Sequence, residues 1–201
     1  MPTRPPAFLL APGAGAPSSH PRMRAFASLL EPLGPVQTLD YPYMREGKKR
    51  PDPLPRLIEA HREALAGLRA AHDGPVVLAG KSMGSRVGCH VALAEKAAAV
   101  VCFGYPLCGA GDRSKLRDQV LLDLATPILF VQGTRDKLCP LDLLEEVRGR
   151  MRASTALHVV AGGDHSLLVT KTGLKARAAT QDDVDRAIAA AIATFVQGLA
   201  T

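Results

Sequence analysis

Six short apolar runs punctuate the chain, at residues 7–11, 36–39, 76–79, 99–103, 128–132 and 157–160. Most are nearly continuous hydrophobics that do not alternate with polar residues. Strands buried on both faces of a parallel sheet read this way. Between the runs, the apolar positions switch to helical spacing. Phe26, Leu29, Leu30 and Leu33 fall at i, i+3, i+4 and i+7, and Leu54, Leu57, Ile58, His61, Leu65 and Leu68 form a second stripe. A run rich in Ala and Val over 83–98, a short stripe of Leu141, Leu144 and Val147, and a long one from Val184 to Leu199 complete the set. Thr180 followed by Asp183 resembles a capping box at the start of the last stripe, with Asp in place of Glu. Strands alternating with helices predict a doubly wound α/β fold on a mostly parallel six-stranded sheet. No repeat, low-complexity stretch or linker interrupts the pattern, so residues 1–201 read as a single domain. His61, on an apolar helical face, and His158, within a strand, both read as hydrogen-bonded core histidines.

Composition narrows the class. Over 201 residues, 47% hydrophobic and 22% charged content supports a packed core and excludes a disordered chain. No apolar run approaches the roughly 18–20 residues that span a bilayer. Aromatic residues at 4%, with no Trp, argue against a stacking platform for single-stranded nucleic acid. The net charge of +6 permits attraction to anionic groups. Lys and Arg are nevertheless scattered, apart from Lys48-Lys49-Arg50, and no helix carries a basic stripe. Neither nucleic acid nor membrane is therefore expected as a partner. The cysteines, Cys89, Cys102, Cys108 and Cys139, show no C-x-x-C spacing and are too sparse for a disulfide scaffold. No cofactor or metal is expected. The apolar stretch 7–11 is too short for a signal-peptide core and stops at Pro12, so it reads as a strand and the protein as cytoplasmic.

The sharpest chemical signal is Gly80-Lys81-Ser82-Met83-Gly84, which follows an apolar run and opens a helical one. A serine in a sharp strand-to-helix turn projects its hydroxyl from the carboxyl end of the sheet, and small residues two before and two after it avoid clashes there. Two partners follow in order. Run 128–132 leads into Gly133-Thr134-Arg135-Asp136, and run 157–160 into Ala161-Gly162-Gly163-Asp164-His165. Asp136 and His165 thus sit just past successive strand ends. A serine hydroxyl is a poor nucleophile at neutral pH. His165 is expected to take its proton and later return it to the leaving group, while Asp136 fixes the imidazole tautomer. Taken singly, each motif is also an ordinary turn or cap. Asp164 competes for the acid role, but as a sequence neighbour of His165 its side chain should diverge from the imidazole. Two backbone N–H groups must face the oxyanion. Met83, after the nucleophile, is one candidate, and Ala14 in the glycine-rich loop Pro12-Gly13-Ala14-Gly15-Ala16 is the other, with Gly13 as its alternative.

These motifs, with Leu-Ala-Pro-Gly-Ala-Gly-Ala, Gly-Lys-Ser-Met-Gly-Ser-Arg and Gly-Asp-His-Ser-Leu, resemble the α/β-hydrolase superfamily over nearly the whole chain. More narrowly they are similar to small hydrolases of the testis-expressed protein thirty and dienelactone-hydrolase-like group. The resemblance implies a sheet ordered 2-1-3-4-5-6, without the antiparallel strands that open larger hydrolases. It implies catalytic Ser82, Asp136 and His165 in a serine esterase or thioesterase. Many hydrolases carry His-Gly after the first strand where this chain has Pro12-Gly13, and dienelactone hydrolases use Cys where it has Ser82. The segment between the fourth and fifth runs has room for a loop and one helix, expected at 115–124, and none for a cap domain. The site should be open, rimmed by loops 41–53, 105–117 and 167–180. Their many Lys and Arg residues suit either an anionic group on a small ester-type substrate or plain solvation. A peptidase on the same fold and a non-catalytic interaction module remain alternatives.

Overall fold

A computed structural model describes residues 4–200. In chain order the strands are β1 (Ala7–Ala11), β2 (Val36–Thr38), β3 (Val76–Lys81), β4 (Ala99–Phe103), β5 (Ile128–Gly133) and β6 (Thr155–Val160). The helices are α1 (Pro21–Leu30), α2 (Pro42–Arg45), α3 (Leu54–Ala71), α4 (Met83–Ala92), α5 (Gln119–Asp123), α6 (Leu141–Arg148), α7 (Lys171–Lys175) and α8 (Gln181–Gln197). All strand pairings are parallel, in the order β2-β1-β3-β4-β5-β6. This is the order that the resemblance implies.

The alternation of side chains along each strand divides the core between two faces. Phe8, Leu10, Val77, Ala79, Val101 and Phe103 face α1 and α8, where Phe26 stacks on Phe103 with ring centroids 4.2 Å apart. Ala7, Leu9, Val76 and Leu78 face α3 and α4, while Cys102, Ile128 and Phe130 face α4, α5 and α6. Every β1 residue is buried, which is why the run shows no polar alternation. The capping box forms as read. The Thr180 side chain accepts from the Asp183 N–H, and the Asp183 carboxylate accepts from the Thr180 N–H.

Two helix boundaries differ from the sequence reading. Helix α4 ends at Ala92 rather than near Ala98, because the chain must already be extended at Ala98, whose N–H joins the sheet through Val76 O. Helix α5 begins at Gln119, not at Lys115. Ahead of it Asp112 caps a turn by accepting the Ser114 N–H, and the Arg117 N–H is drawn to Leu107 O. These bonds hold 107–117 as a compact loop, and no cap domain stands between β4 and β5. His61 is buried and within 3.2 Å of the Tyr41 hydroxyl at Nδ1, but its Nε2 has no partner among the described residues. His158 is not the core residue expected. It is half-buried, because β6 is an edge strand whose faces the helices cover only in part. All four cysteines are buried as free thiols.

Candidate active site

Because every strand is parallel, their carboxyl ends share one edge, and the strand order reverses direction between β1 and β3. Open α/β sheets bind ligands at this point. Ser82 leaves β3 there with φ 52° and ψ −113°. A non-glycine residue in that region carries strain of order 1–3 kcal/mol, so its surroundings must impose it. They do so through close packing. A Cβ on Gly80 would lie 2.4 Å from the Gly84 carbonyl carbon, and one on Gly84 would lie 2.4 Å from Ala11 O. The Ser82 N–H also donates to Phe103 O at 3.1 Å, tying the turn to β4.

The loops after β5 and β6 bring two side chains to this turn. His165 Nε2 lies 2.7 Å from Ser82 Oγ, and His165 Nδ1 lies 2.7 Å from Asp136 Oδ2. The Asp136 side chain is 0% exposed and that of His165 is 23% exposed. Asp136 is not left as a bare buried charge. Its Oδ2 also accepts from Gln132 Nε2 at 2.6 Å, and its Oδ1 accepts from the Leu138 N–H at 2.8 Å. Gln132 is itself fixed, accepting the Tyr105 N–H at 3.1 Å. A buried carboxylate facing Nδ1 favours the tautomer with its proton there, leaving the Nε2 lone pair directed at the serine hydroxyl. Asp164, the competing acid, turns away from the imidazole. Its Oδ1 accepts the N–H groups of Ser166 and Leu168 and so closes its own loop.

The histidine loop is clamped from behind. Buried Arg22 on α1 donates through Nε to Ser166 O at 2.8 Å and makes two bonds to Asp185 on α8, at 2.6 and 2.9 Å. Gln181 donates to Leu167 O at 3.1 Å, holding Leu167 at φ 61°. A Cβ on Gly104 would come within 2.7 Å of His165 O, so the turn after β4 abuts the same loop. Gln132, Arg22 and Gln181 were not singled out from the sequence. Gln132 left a trace, as the polar residue closing an apolar run. Arg22 and Gln181, in the first turns of surface helices, left none.

Met83 begins α4 directly after Ser82, so its N–H has no acceptor within the helix. Across from it, a Cβ on Gly13 would lie 3.5 Å from Ser82 Cβ, which brings the loop after β1 against the serine. Ala14 is exposed there, and its carbonyl accepts the Tyr43 hydroxyl at 2.9 Å. Burial, with Asp52 and Asp40 nearby, pushes the Tyr43 pKa up to about 12, so the phenol remains a donor. Beside Gly13 opens a cleft of about 180 Å³ with Lys81 and Ser166 in its wall. Burial lowers the Lys81 pKa, Arg22 lowers it further, and Asp136 and Asp164 oppose the shift. Among the described residues, no group of three or more His, Cys, Asp or Glu side chains is placed to hold a metal ion. None of the described helices is long and apolar enough to cross a membrane.

A strained serine at a strand-to-helix turn, bonded through histidine to a buried carboxylate, is an arrangement suited to acyl transfer. Residues 4–197 match the model of a family described as an alpha/beta hydrolase domain. The chain belongs to the alpha/beta hydrolases. Among solved structures, this hydrolase is similar to an alpha-beta serine hydrolase homologue from Coxiella burnetii, with TM-score 0.72, 17% identity, and 98% of this chain and 86% of that one covered. It is also similar to Est1E from Butyrivibrio proteoclasticus, in a structure with bound ferulic acid, with TM-score 0.66, 16% identity and coverage of 94% and 90%. Alpha/beta hydrolase domain-containing protein 10 from mouse matches with TM-score 0.65 and 14% identity, covering 99% and 92%. At these identities the likeness is one of fold.

Proposed function

We propose that this hydrolase cleaves carboxylic ester or thioester bonds through an acyl-enzyme. Ser82 is the nucleophile, His165 the general base and acid, and Asp136 the carboxylate that orients the imidazole. The observation that carries the reading is the unbroken relay Ser82 Oγ–His165–Asp136, with 2.7 Å at each link. Ser82 Oγ attacks the acyl carbon while its proton passes to His165 Nε2. The tetrahedral oxyanion faces the N–H groups of Met83 and Ala14, each such donor being worth about 3 kcal/mol in the transition state. The bond to the leaving oxygen or sulfur then breaks, and His165 returns the proton to it. Water repeats the sequence on the acyl-enzyme, giving up its proton to His165, and releases the carboxylic acid with Ser82 restored. The bound ferulic acid of the Est1E structure, a carboxylic acid, is of the class such a reaction releases. The absence of a cap between β4 and β5 leaves the serine open to small esters. The test is Ser82→Ala. Hydrolysis of an activated ester and labelling by a fluorophosphonate probe are both expected to vanish, with the circular dichroism spectrum unchanged. Full labelling of the variant would move the nucleophile elsewhere.

A further inference from the structure

The cleft beside Gly13 has a wall chemistry that the acyl-transfer reading does not use. Its lining includes Lys81, His20, Arg22, Ser166, Met23 and Gly13, and contains no carboxylate. Lys81 stands directly before Ser82 in the chain, and Ser166 directly after His165. Gly13 gives Lys81 its course. A Cβ there would sit 3.0 Å from Lys81 Cδ, so the absence of a side chain lets the lysine stem lie along the loop after β1. Among the described residues, no Asp or Glu lies within ion-pair distance of Lys81, although it is half-buried. The other cation in the wall is spoken for, since Arg22 is neutralised by two bonds to Asp185. His20 adds a ring donor. Its Nδ1 accepts the Arg22 N–H at 3.2 Å, which leaves its proton on Nε2. A half-buried ammonium with no carboxylate in ion-pair contact and none in the cleft wall, beside polar donors and a short apolar patch at Met23, is complementary to an anion on a short carbon chain. The volume, about 180 Å³, equals roughly six waters at about 30 Å³ each. That is room for a carboxylate and two or three methylenes.

We infer that this cleft is a carboxylate subsite and that Lys81 selects esters bearing a carboxylate two to four carbons from the scissile carbonyl or leaving oxygen. The inference rests on Ser82 being the nucleophile only for its consequence in turnover; binding of the anion stands apart from that. The experiment has a turnover arm and a binding arm. In the first, kcat/KM is measured at low salt, after subtraction of spontaneous hydrolysis, for two pairs of substrates. One pair is 4-nitrophenyl hydrogen glutarate and its methyl ester, with the charge on the acyl side. The other is 4-acetoxybenzoate and its methyl ester, with the charge on the leaving group. The wild-type protein is expected to prefer the anionic member of one pair by about tenfold or more, the worth of one charge-assisted bond. Lys81→Gln should bring that ratio to one or below, and Lys81→Arg should retain most of it. Which pair shows the preference assigns the cleft to the acyl or the leaving side. In the second arm, glutarate is titrated calorimetrically into the wild-type protein and into Lys81→Gln. Binding to the wild type that is lost in the variant supports the subsite even if no ester is turned over, a result that would overturn the acyl-transfer reading alone. No glutarate binding to the wild type, or a neutral preference in both pairs, would overturn the subsite. So would an anionic preference that Lys81→Gln leaves unchanged.

Discussion

Acid should destabilise this hydrolase through one buried side chain outside the relay of Ser82, His165 and Asp136. His61 on α3 is completely buried, and its Cε1 would lie 3.7 Å from a Cβ on Gly88 of α4. Among the described residues its one hydrogen-bond partner is the Tyr41 hydroxyl, also buried, at 3.2 Å. Burial pushes the His61 pKa down from 6.5 to about 4, because a charged imidazole there would lose its water and gain no counter-ion. The unfolded chain keeps the ordinary value, so between those limits it binds the proton that the native state refuses. Stability therefore rises with pH through this window and is lost as pH falls from about 6.5 toward 4. The difference of about 2.5 pH units corresponds to about 3 kcal/mol, of which about 2.5 kcal/mol is gone by pH 4.5. Against a total of about 5–15 kcal/mol for a native domain, that is a large share. His61→Gln removes the titration and keeps a polar group within reach of Tyr41. Urea unfolding followed by circular dichroism at pH 7.5 and 4.5 is the assay. The wild type is expected to lose about 2.5 kcal/mol more than the variant between the two pH values. Equal losses would show that His61 is not the acid-sensitive group.

Two further outcomes follow from the wiring of the site. Asp136→Asn should lower turnover of an activated ester by a factor of order 10⁴, because the amide imposes the wrong imidazole tautomer, whereas Asp164→Asn should cost far less. Steady-state kinetics on one substrate decides the order, and a larger loss in Asp164→Asn would reverse the two roles. Arg22→Met should take from Asp185, 13% exposed, its ion-pair partner, leaving it the Gln181 amide, and cost about 3 kcal/mol. For a chain of this size that lowers the melting temperature by about 6–12 °C, and an unchanged melt would refute the clamp.

The doubly buried strands were legible because each is a short run with no polar interruption, as in Ala7–Ala11. Sheet order came instead from resemblance, since hydrophobic periodicity carries no information on which strands are neighbours. The relay was legible because parallel strands deliver their next residues to one edge. Ser82, Asp136 and His165 each stand just beyond a strand, and three such turns can meet only there. What the sequence hid are groups that reach the site from distant elements. Arg22 contacts Ser166 across 144 residues, and the first turn of α1 shows only an unremarkable arginine. The boundaries of α4 and α5 were missed because tertiary bonds ended or delayed helices that local composition would have continued. His158 was misread because a strand pattern does not tell an edge strand from a central one.

Polar burial in this molecule is concentrated rather than spread. The buried polar side chains of the described residues are Arg22, His61, Ser85, Gln132 and Asp136. Ser85 donates to Gly80 O, inside the serine turn, and Gln132 and Asp136 hold the imidazole. Arg22 holds the loop that carries it. Two of the non-glycine residues at positive φ, Ser82 and Leu167, lie in the same two turns. Each feature costs free energy that an apolar residue in a relaxed loop would not, and each is satisfied by close neighbours around the same two turns. Strain at Ser82 requires the glycines at 80 and 84; the buried Asp136 requires Gln132 and the imidazole; the strained histidine loop requires Arg22 and Gln181. A network of this kind is rigid because removing one member leaves a buried group unpaired. Of these five, His61 stands outside it, with one ring nitrogen unbonded among the described residues. For that reason the acid sensitivity of the fold and the pH response of the site should separate. A His61→Gln protein more resistant to acid should keep the wild-type pH profile of ester hydrolysis, measured where both are folded. A profile that moved with the variant would mean that the core and the relay are coupled through α4, contrary to the partition of polar groups seen here.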